Sequence, residues 1–315
     1  METVLITGGT GTIGKRLCEM LLEKGFHVIV LTRKIPEAKN KNISYSVWNV
    51  DAGIIDNNAI ANADYIIHLA GAGVAEKRWT AKRKKEIQES RTKSSALIVK
   101  ALQENKNKVK AVISSSAIGW YGEDKIGYGI DKSGNIKNAF TETDAADLQF
   151  LGETCRLWEQ SIEPVTALGK RLVILRTGIV LSKNGGAFTE FEKPLKFGFA
   201  TILGSGKQVI SWIHEEDICR MYLFALQNEN VSGVYNAVAP KPVDNKTLML
   251  SIAKIKRGKF FISMHVPSFV LKLILGEMSV EVLKSATVSC SKIQAKSFSF
   301  FYPSIDGALQ ELCKK

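Results

Sequence analysis

The chain contains few cysteines and no long apolar run. Its 315 residues include 5 cysteines, and none of them stand at C-x-x-C spacing, so neither a metal site nor a disulfide framework is indicated. Such sparse cysteine usage favours a reducing compartment. No basic segment followed by an apolar core opens the chain, and the apolar stretch 266–275 contains Pro267 and Lys272 and is too short to span a bilayer. We therefore expect a cytoplasmic protein with no membrane partner.

Acidic residues are scarce relative to basic ones. The chain has 31 Asp and Glu against 43 Lys and Arg, which gives a net charge of +12. This excess is compatible with a polyanionic partner, a membrane surface or a basic solvated exterior. The densest basic run spans 76–86, but no base-stacking aromatic repeat or helix-turn-helix pattern accompanies it. We interpret the run as a solvated helix face and expect no nucleic-acid partner.

The chain does contain a glycine cluster directly after an apolar, β-branched run. Gly8, Gly11 and Gly14 have G-x-x-G-x-x-G spacing, with Thr12 and Ile13 between the last two, and a helical pattern follows. Glycines at this spacing let the backbone turn tightly, approach a pyrophosphate and pack the helix close to the strand. The helix N-terminus then offers N–H groups to the phosphates. The pattern predicts a dinucleotide site, and a purely structural turn is the alternative.

A basic residue stands near the position where an acidic one binds the ribose of NAD. Arg33 follows Gly14 by 19 residues (33 − 14) and comes after the predicted strand 26–31. A carboxylate there would repel a 2′-phosphate, whereas a guanidinium can bind it through charge-assisted hydrogen bonds. The sequence therefore predicts NADP as the cofactor, with a surface arginine at a strand end as the alternative.

Strand-like and helix-like segments alternate through the first half of the chain. Apolar or alternating runs at 43–48, 64–69 and 109–116 predict strands, and 80–102 predicts a long helix. This order predicts an α/β fold with a Rossmann-like doubly wound parallel sheet, in which ligands bind at the carboxyl ends of the strands. His68 lies inside an apolar run, which favours a core histidine over a ligand or base.

The later motifs resemble the extended short-chain dehydrogenase/reductase superfamily. They occur in the expected order, as Ser114 to Gly122, the strand 175–181, the loop and helix start 204–217, and the strand 233–237. A narrower similarity is to NAD-dependent epimerase/dehydratase-like proteins, the epimerase family with a small C-terminal domain of unknown function. The segments that carry it are Leu69-Ala70-Gly71, Arg78-Trp79-Thr80, Arg83-Lys84, Ser90-Arg91, Phe298-Ser299-Phe300 and Tyr302-Pro303.

This resemblance implies a division of the chain and a set of contacts. It implies an NADP-binding Rossmann domain over 1–240, with a substrate-lobe insertion at about 183–212, and a small, mixed and mostly helical C-terminal domain over 241–315 on the substrate side. Trp212 and His214 are expected to bind substrate. The implied cofactor contacts are Thr32, Arg33, Leu69, Ala70, Glu86, Arg91 and Val180, to which the small residue Gly71 adds room for a flat ligand.

The proton relay of that superfamily is missing. Its members use a tyrosine with a lysine four residues later, together with a serine that orients the substrate oxygen. Ser116 stands at the serine position. On the only suitable helix, 147–159, the tyrosine position falls at Phe150 or Leu151 and the lysine position at Thr154 or Cys155.

Tyr121 is the best substitute acid or base that the sequence offers, because it directly follows the strand that ends in Ser116. It could equally pack on the ligand without transferring a proton. The spacings of Tyr121 with Lys125 and of Tyr128 with Lys132 occur among glycines, where no helix is indicated, and are interpreted as coincidental. Arg156 could supply positive charge, or it is a solvated helix arginine.

Two functions remain open from the sequence. The first is an NADP-dependent oxidoreductase or epimerase-like isomerase acting on a small polar substrate, for which the resemblance suggests a nucleotide sugar. The second is a non-catalytic NADP-binding sensor or regulatory protein, which the missing Tyr-x-x-x-Lys favours. The sequence does not indicate the oligomeric state.

Overall fold

A computed structural model describes residues 1–37 and 40–314, which form strands and helices in alternation. The strands are β1 (Thr3–Thr7), β2 (His27–Thr32), β3 (Ile43–Val47), β4 (Tyr65–His68), β5 (Ala111–Ala117), β6 (Gly129–Ile130), β7 (Ile136–Asn138), β8 (Arg171–Thr177), β9 (Ile179–Ser182), β10 (Gly185–Gly186), β11 (Phe199–Leu203), β12 (Val209–Ile210), β13 (Trp212–His214), β14 (Gly233–Ala237), β15 (Val243–Asp244) and β16 (Ile262–Val266). The helices are α1 (Thr12–Glu23), α2 (Asn57–Asn62), α3 (Ala81–Glu104), α4 (Phe150–Ile162), α5 (Ala187–Glu192), α6 (Glu215–Gln227), α7 (Asn245–Arg257), α8 (Ser268–Leu275), α9 (Ser279–Leu283), α10 (Ser291–Gln294) and α11 (Ile305–Leu312).

Seven strands form one parallel sheet in the order β14-β8-β5-β4-β1-β2-β3. The chain leaves β1 toward β2 and β3 and then returns to place β4 on the other side of β1. The strand order therefore reverses at β1, which is where ligands bind in doubly wound sheets. The predicted Rossmann-like α/β fold is confirmed.

Apolar side chains cover both faces of this sheet. On one face α1 packs against α6, and Leu17, Leu21 and Met221 are fully buried. On the other face α3 packs against α4, and Ile98 and Ile162 are fully buried. Both faces are covered, as the near-continuous apolar strands require.

A separate core holds together the portion of the chain that the sequence predicts to lie on the substrate side. It joins the segment after β9 to the C-terminal helices, with Phe188, Trp212, Leu248 and Leu309 all buried in one cluster. The predicted insertion at 183–212 thus packs with residues beyond 240 instead of with the central sheet. In this portion α8 begins directly after Pro267, as its fixed φ favours.

No helix in the described ranges has the length and apolarity needed to cross a membrane.

Candidate functional site

The glycine cluster forms a tight turn between β1 and α1. Gly8 has a φ of +72°, and the N–H of Gly11 donates to the Gly8 carbonyl oxygen at 3.0 Å. A Cβ at Gly14 would lie against that carbonyl oxygen and 2.6 Å from Gly9 Cα. A Cβ at Gly8 would lie 3.0 Å from the Leu69 carbonyl carbon. The turn therefore requires glycine where the strand, the helix and the end of β4 meet.

The N-terminus of α1 is open to a ligand. Its N-cap residue Gly11 offers no side chain to the first N–H groups, and its first turn contains no acidic residue. These N–H groups and the positive end of the helix dipole favour an anion. A glycine cradle beneath an uncapped helix fits the pyrophosphate of a dinucleotide.

The strand ends beside this turn are fixed by a buried polar network. Thr7 Oγ1 accepts hydrogen bonds from the N–H groups of Leu69 and Ala70, both at 3.2 Å, and lies 2.7 Å from His68 Nδ1. His68 Nε2 lies 3.1 Å from Ser95 Oγ. His68 is fully buried, and burial lowers its pKa to about 3. The structure agrees with the predicted core histidine and places it as a support for the ends of β1 and β4.

His68 should make the stability of the fold depend on pH. In the unfolded chain the imidazole takes up a proton near pH 6.5, whereas the buried ring stays neutral down to a pKa of about 3. Stability is therefore fully present above pH 6.5 and is lost as the pH falls, by about 2 kcal/mol at pH 5. Urea unfolding at several pH values should show a weaker acid dependence for His68→Gln than for the unmodified protein. Parallel pH dependences of the two proteins would contradict this role.

The residues at the end of β2 face solvent. Thr32 Oγ1 donates to the Lys34 carbonyl oxygen at 2.8 Å. Arg33 is exposed, and it forms no ion pair with any residue in 1–37 or 40–314. A free guanidinium at this strand end is available to a phosphate.

Arg91 lies against the loop that follows β4. Its Nη1 donates to the carbonyl oxygens of Ala72 and Ile87, both at 2.9 Å, and a Cβ at Gly71 would lie 3.1 Å from its Cζ. Burial lowers the pKa of Arg91, and the guanidinium lies over the Trp158 ring. No carboxylate pairs with it among the described residues. Arg91 is thus a positive group held beneath the end of β4.

Glu86 lies one turn away from Arg91 on the exposed side of α3. Its carboxylate pairs with Arg83 at 2.8 Å, and this pairing holds the pKa of Glu86 below its usual value. A contact between Glu86 and a cofactor stays a prediction.

The segment after β8 reaches back to the glycine turn. Val180 lies in β9, which pairs in parallel with β13. The β9–β10 hairpin then brings Gly185 to Thr12, because a Cβ at Gly185 would lie 3.2 Å from Thr12 Oγ1. Val180 and the β9–β10 hairpin, at the start of the predicted insertion, are therefore on the same side of the molecule as the uncapped helix.

Ser116 lies at the end of β5, but its hydroxyl has a buried partner. Ser116 Oγ donates to Glu159 Oε1 at 2.6 Å, and Arg176 binds both oxygens of the same carboxylate at 2.9 Å. All three side chains are buried. The serine proton thus points to a carboxylate of α4 in this structure.

Tyr121 corrects a sequence prediction. Its side chain is fully buried, stacks on Phe140, donates its hydroxyl proton to Asn236 Oδ1 at 2.7 Å and accepts from Arg176 Nη1 at 3.1 Å. Burial raises the pKa of Tyr121 to about 12. Both sequence interpretations, an acid or base and a side chain packed on the ligand, required an accessible ring, and the structure places the ring in the core instead.

The start of α4 decides which residues occupy the proton-relay positions. A Cβ at Gly119, just after β5, would lie 3.2 Å from Leu151 Cβ and 3.6 Å from Cys155 Sγ. Leu151 and Cys155 therefore face the end of β5, whereas Phe150 packs against Trp79. Burial raises the pKa of the Cys155 thiol to about 12, so this pair offers no proton donor comparable to Tyr and Lys.

The other basic candidates are engaged elsewhere. Arg156 pairs with Glu153 on the partly exposed side of α4, as expected of a solvated helix arginine. Lys125 pairs with Asp144 at 2.6 Å, and no helix joins Tyr121 to Lys125.

Trp212 and His214 also correct the sequence prediction of substrate contacts. Trp212 is fully buried and donates to the Lys241 carbonyl oxygen at 3.0 Å. His214 caps α6 by accepting from the Glu216 N–H at 3.1 Å, and its Nε2 lies 3.1 Å from Glu311. Burial lowers the pKa of His214. Both side chains attach the C-terminal portion to the rest of the chain instead of lining a cleft.

Sequence reasoning missed the buried network that connects α4 to β8. Glu159, Arg176 and Asn236 are all buried; Arg176 binds Glu159 directly and is joined to Asn236 through the Tyr121 hydroxyl. An arginine inside the apolar run 172–177 was a usable signal, because a buried guanidinium needs a carboxylate.

Two family models match the chain. The NAD dependent epimerase/dehydratase family matches residues 4–142, and a domain of unknown function, DUF1731, matches residues 266–312. The epimerase family protein YfhF of Bacillus subtilis is 34% identical over 310 residues, which cover 98% of this chain and 97% of that protein. An epimerase family protein of Staphylococcus saprophyticus is 34% identical over 99% of both chains.

Solved structures share the fold over nearly the whole chain. The human epimerase family protein SDR39U1, crystallised with NADPH, superposes with a TM-score of 0.83 at 25% identity and covers 99% of both chains. A nucleoside-diphosphate sugar epimerase from Corynebacterium glutamicum gives a TM-score of 0.76 at 28% identity, covering 99% of this chain and 58% of that one.

Proposed function

The chain belongs to the NAD-dependent epimerase/dehydratase family, and from that premise we propose that it binds NADP(H) and acts as an oxidoreductase or epimerase-like enzyme. The observation that carries the proposal is the glycine cradle between β1 and the uncapped α1. The similarity to a human protein crystallised with NADPH supports it. When bound, the nicotinamide supplies or accepts a hydride, and the rest of the chemistry falls to the protein.

The proposed cofactor contacts follow the carboxyl edge of the sheet. The turn and α1 hold the pyrophosphate, the end of β2 holds the adenosine side, and the end of β4 with β9 continues toward the reactive ring. These residues are Gly8, Gly11, Thr12, Ile13, Gly14, Thr32, Arg33, Leu69, Ala70, Gly71, Glu86, Arg91 and Val180.

The choice of NADP over NAD rests on Arg33. An exposed guanidinium with no carboxylate partner among the described residues can bind a 2′-phosphate through charge-assisted hydrogen bonds. No acidic residue occupies this strand end to bind a free ribose hydroxyl. The proposed preference is therefore for the phosphorylated cofactor.

Arg33→Asp should reverse the order of the two cofactors. The unmodified protein should bind NADPH at least about tenfold more tightly than NADH, because hydrogen bonds to charged groups contribute about 1.5–3 kcal/mol. In the variant the carboxylate repels the 2′-phosphate, and NADH should bind more tightly. Fluorescence titration of both reduced cofactors measures this.

The control for Arg33→Asp is Lys137→Asp, which changes charge equally on the exposed strand β7. It should leave the NADPH to NADH ratio unchanged. Equal affinities of the unmodified protein for both cofactors would rule out the assignment of NADP.

The substrate is proposed to be a small polar molecule, with a nucleotide sugar as the leading class. Similarity to a nucleoside-diphosphate sugar epimerase at 28% identity supports this class. At the reaction position the chain's own contribution is Ser116, whose oxygen can accept a hydrogen bond while its proton goes to Glu159. No residue is proposed here as the acid or base.

A second function, a non-catalytic NADP(H) sensor, is favoured by one observation. Leu151 and Cys155 occupy the relay positions; Leu151 has no titratable group, and the buried Cys155 thiol keeps its proton at ordinary pH, so neither exchanges a proton as the Tyr and Lys pair does. A screen of nucleotide sugars distinguishes the two functions. It measures the absorbance of the nicotinamide and the formation of isomeric products. Turnover that Ser116→Ala abolishes supports the enzyme, whereas tight NADPH binding without turnover of any tested sugar supports the sensor.

A further inference from the structure

Two neighbouring segments of the substrate-side portion expose large apolar side chains. Phe197 is 81% exposed, Phe260 is 86% exposed and Ile262 is 65% exposed. In the parallel pairing of β11 with β16, Phe199 lies opposite Ile262 and Thr201 lies opposite Met264. Because side chains alternate along a strand, Ile262 and Met264 point to the same side as Phe199, and Phe260 lies two residues before this strand.

Backbone contacts make these side chains one surface. The Ile262 N–H donates to the Gly198 carbonyl oxygen at 2.9 Å, which joins the loop after Phe197 to the start of β16. Arg257 donates to the carbonyl oxygens of Leu195 and Lys196, at 2.7 Å and 2.6 Å. The two loops are therefore fixed side by side and form a preformed patch.

Basic residues surround this surface. Residues 254–276 contain five Lys or Arg and no Asp or Glu. Lys196, Lys254, Arg257 and Lys259 are exposed, and none of them forms an ion pair within the described part of the chain. We call the combination the basic–apolar patch, defined by Phe197, Phe199, Phe260, Ile262 and Met264 with Lys196, Lys254, Arg257 and Lys259.

We propose that the basic–apolar patch docks on the surface of an anionic lipid bilayer. Exposed aromatic and aliphatic side chains can enter the boundary between headgroups and acyl chains, while the lysines and the arginine attract the negative headgroups. Either signal alone gives weak attachment, and the two together give stable attachment. The inference concerns attachment to a surface, so it needs no spanning helix; it revises the sequence-based expectation of no membrane partner and goes beyond the proposed cofactor function.

The charge and the side-chain types of the basic–apolar patch favour an anionic bilayer over a second copy of the chain or a nucleic acid. A second copy of the chain would bring two positively charged rims together, and like charges facing each other oppose association. Nucleic-acid recognition stacks bases on aromatic rings, which Phe197, Phe199 and Phe260 offer, but the exposed aliphatic side chains of Ile262 and Met264 give a base no ring to stack on. An anionic bilayer accepts both the charge and the aliphatic surface.

The experiment is co-sedimentation of the full chain with vesicles of phosphatidylcholine alone or with one third phosphatidylglycerol. We expect binding to the phosphatidylglycerol vesicles only. The double variant Phe260→Ser/Ile262→Ser should reduce partitioning at least about tenfold. Lys254→Glu/Lys259→Glu should reduce it by about fivefold for each positive charge removed.

Matched controls replace equally exposed residues outside the patch. Leu148→Ser, at a position 93% exposed, and Lys132→Glu/Lys137→Glu should bind vesicles like the unmodified protein. All variants should retain NADPH affinity, which shows that they are folded and separates this test from that of the cofactor site.

Three results would overturn the docking proposal. They are no binding to phosphatidylglycerol vesicles, equal loss of binding in the patch variants and their controls, and binding to a single-stranded oligonucleotide or to polyglutamate without binding to vesicles. The last result would assign the patch to a polyanionic macromolecule instead of a lipid surface.

Discussion

Arg176→Met should lower the free energy of unfolding by about 3–5 kcal/mol, because it leaves the Glu159 carboxylate buried without its charge partner. The guanidinium binds both carboxylate oxygens at 2.9 Å, donates to the Tyr121 hydroxyl and lies 3.5 Å from the centre of the Trp120 ring. The substitution removes all of these contacts at once. Equilibrium unfolding in urea measures the loss.

Arg156→Met provides the matched control. Arg156 also pairs with a glutamate, Glu153, but both side chains are more than a third exposed. Pairs of this kind contribute about 0–1 kcal/mol, so the control should change stability little. Equal losses in the two variants would show that the buried network does not stabilise the fold.

The double variant Arg176→Met/Glu159→Leu tests the cause of the loss. Removing both charges should restore much of the stability, since an apolar pair of similar volume costs less than an isolated buried charge. Ser116 would then lose its acceptor, so recovery should remain partial. A double variant as unstable as Arg176→Met alone would assign the loss to packing against Trp120.

The central sheet was predictable because its signals are local. Parallel strands buried on both faces appear as short apolar runs, and the helices between them have their own starts, such as Thr80, which caps α3. The parallel pair β11–β16 left no comparable signal. Its strands lie about 60 residues apart in the chain, and β16 is exposed along most of its length.

The glycine turn and the exposed Arg33 of the proposed cofactor site were predictable from the sequence for a similar reason. The glycine turn is encoded in one short segment of the chain. The arginine at the end of the next strand is encoded in another. The residues predicted to act on or bind a substrate have partners far away in the chain. Tyr121 binds Asn236, Trp212 binds the carbonyl oxygen of Lys241 and His214 binds Glu311, and all three side chains are buried, which no local pattern in the sequence could indicate.

A shift of one residue in the start of α4 would change which side chains stand at the relay positions. The sequence left Phe150 with Thr154 and Leu151 with Cys155 as equal alternatives. The helix begins at Phe150, which turns Leu151 and Cys155 toward Gly119 at the end of β5. The predicted relay position beside Ser116 is therefore apolar, in contrast to the polar, uncapped start of α1. This contrast supports cofactor binding more strongly than any particular reaction.

Gly14→Ala should weaken NADPH binding by at least about 100-fold. The added Cβ would lie 2.6 Å from Gly9 Cα and against the Gly8 carbonyl oxygen. Because these neighbours are backbone atoms, α1 must move away from the turn by roughly 1 Å, and a displacement of that size is enough to cost about 100-fold at a site built for fixed geometry. The N–H groups at the start of α1 would then no longer converge on a pyrophosphate.

Gly307→Ala separates this effect from a general effect of replacing a helical glycine. Gly307 lies in α11 and has open space where the Cβ would be. Alanine there should stabilise the helix by about 0.4–1 kcal/mol and leave NADPH affinity unchanged. Thermal unfolding with and without NADPH reports both quantities. If Gly14→Ala keeps the stabilisation that NADPH gives the unmodified protein, the cofactor does not lie on this turn, and the assignment of the first helix as its phosphate site is wrong.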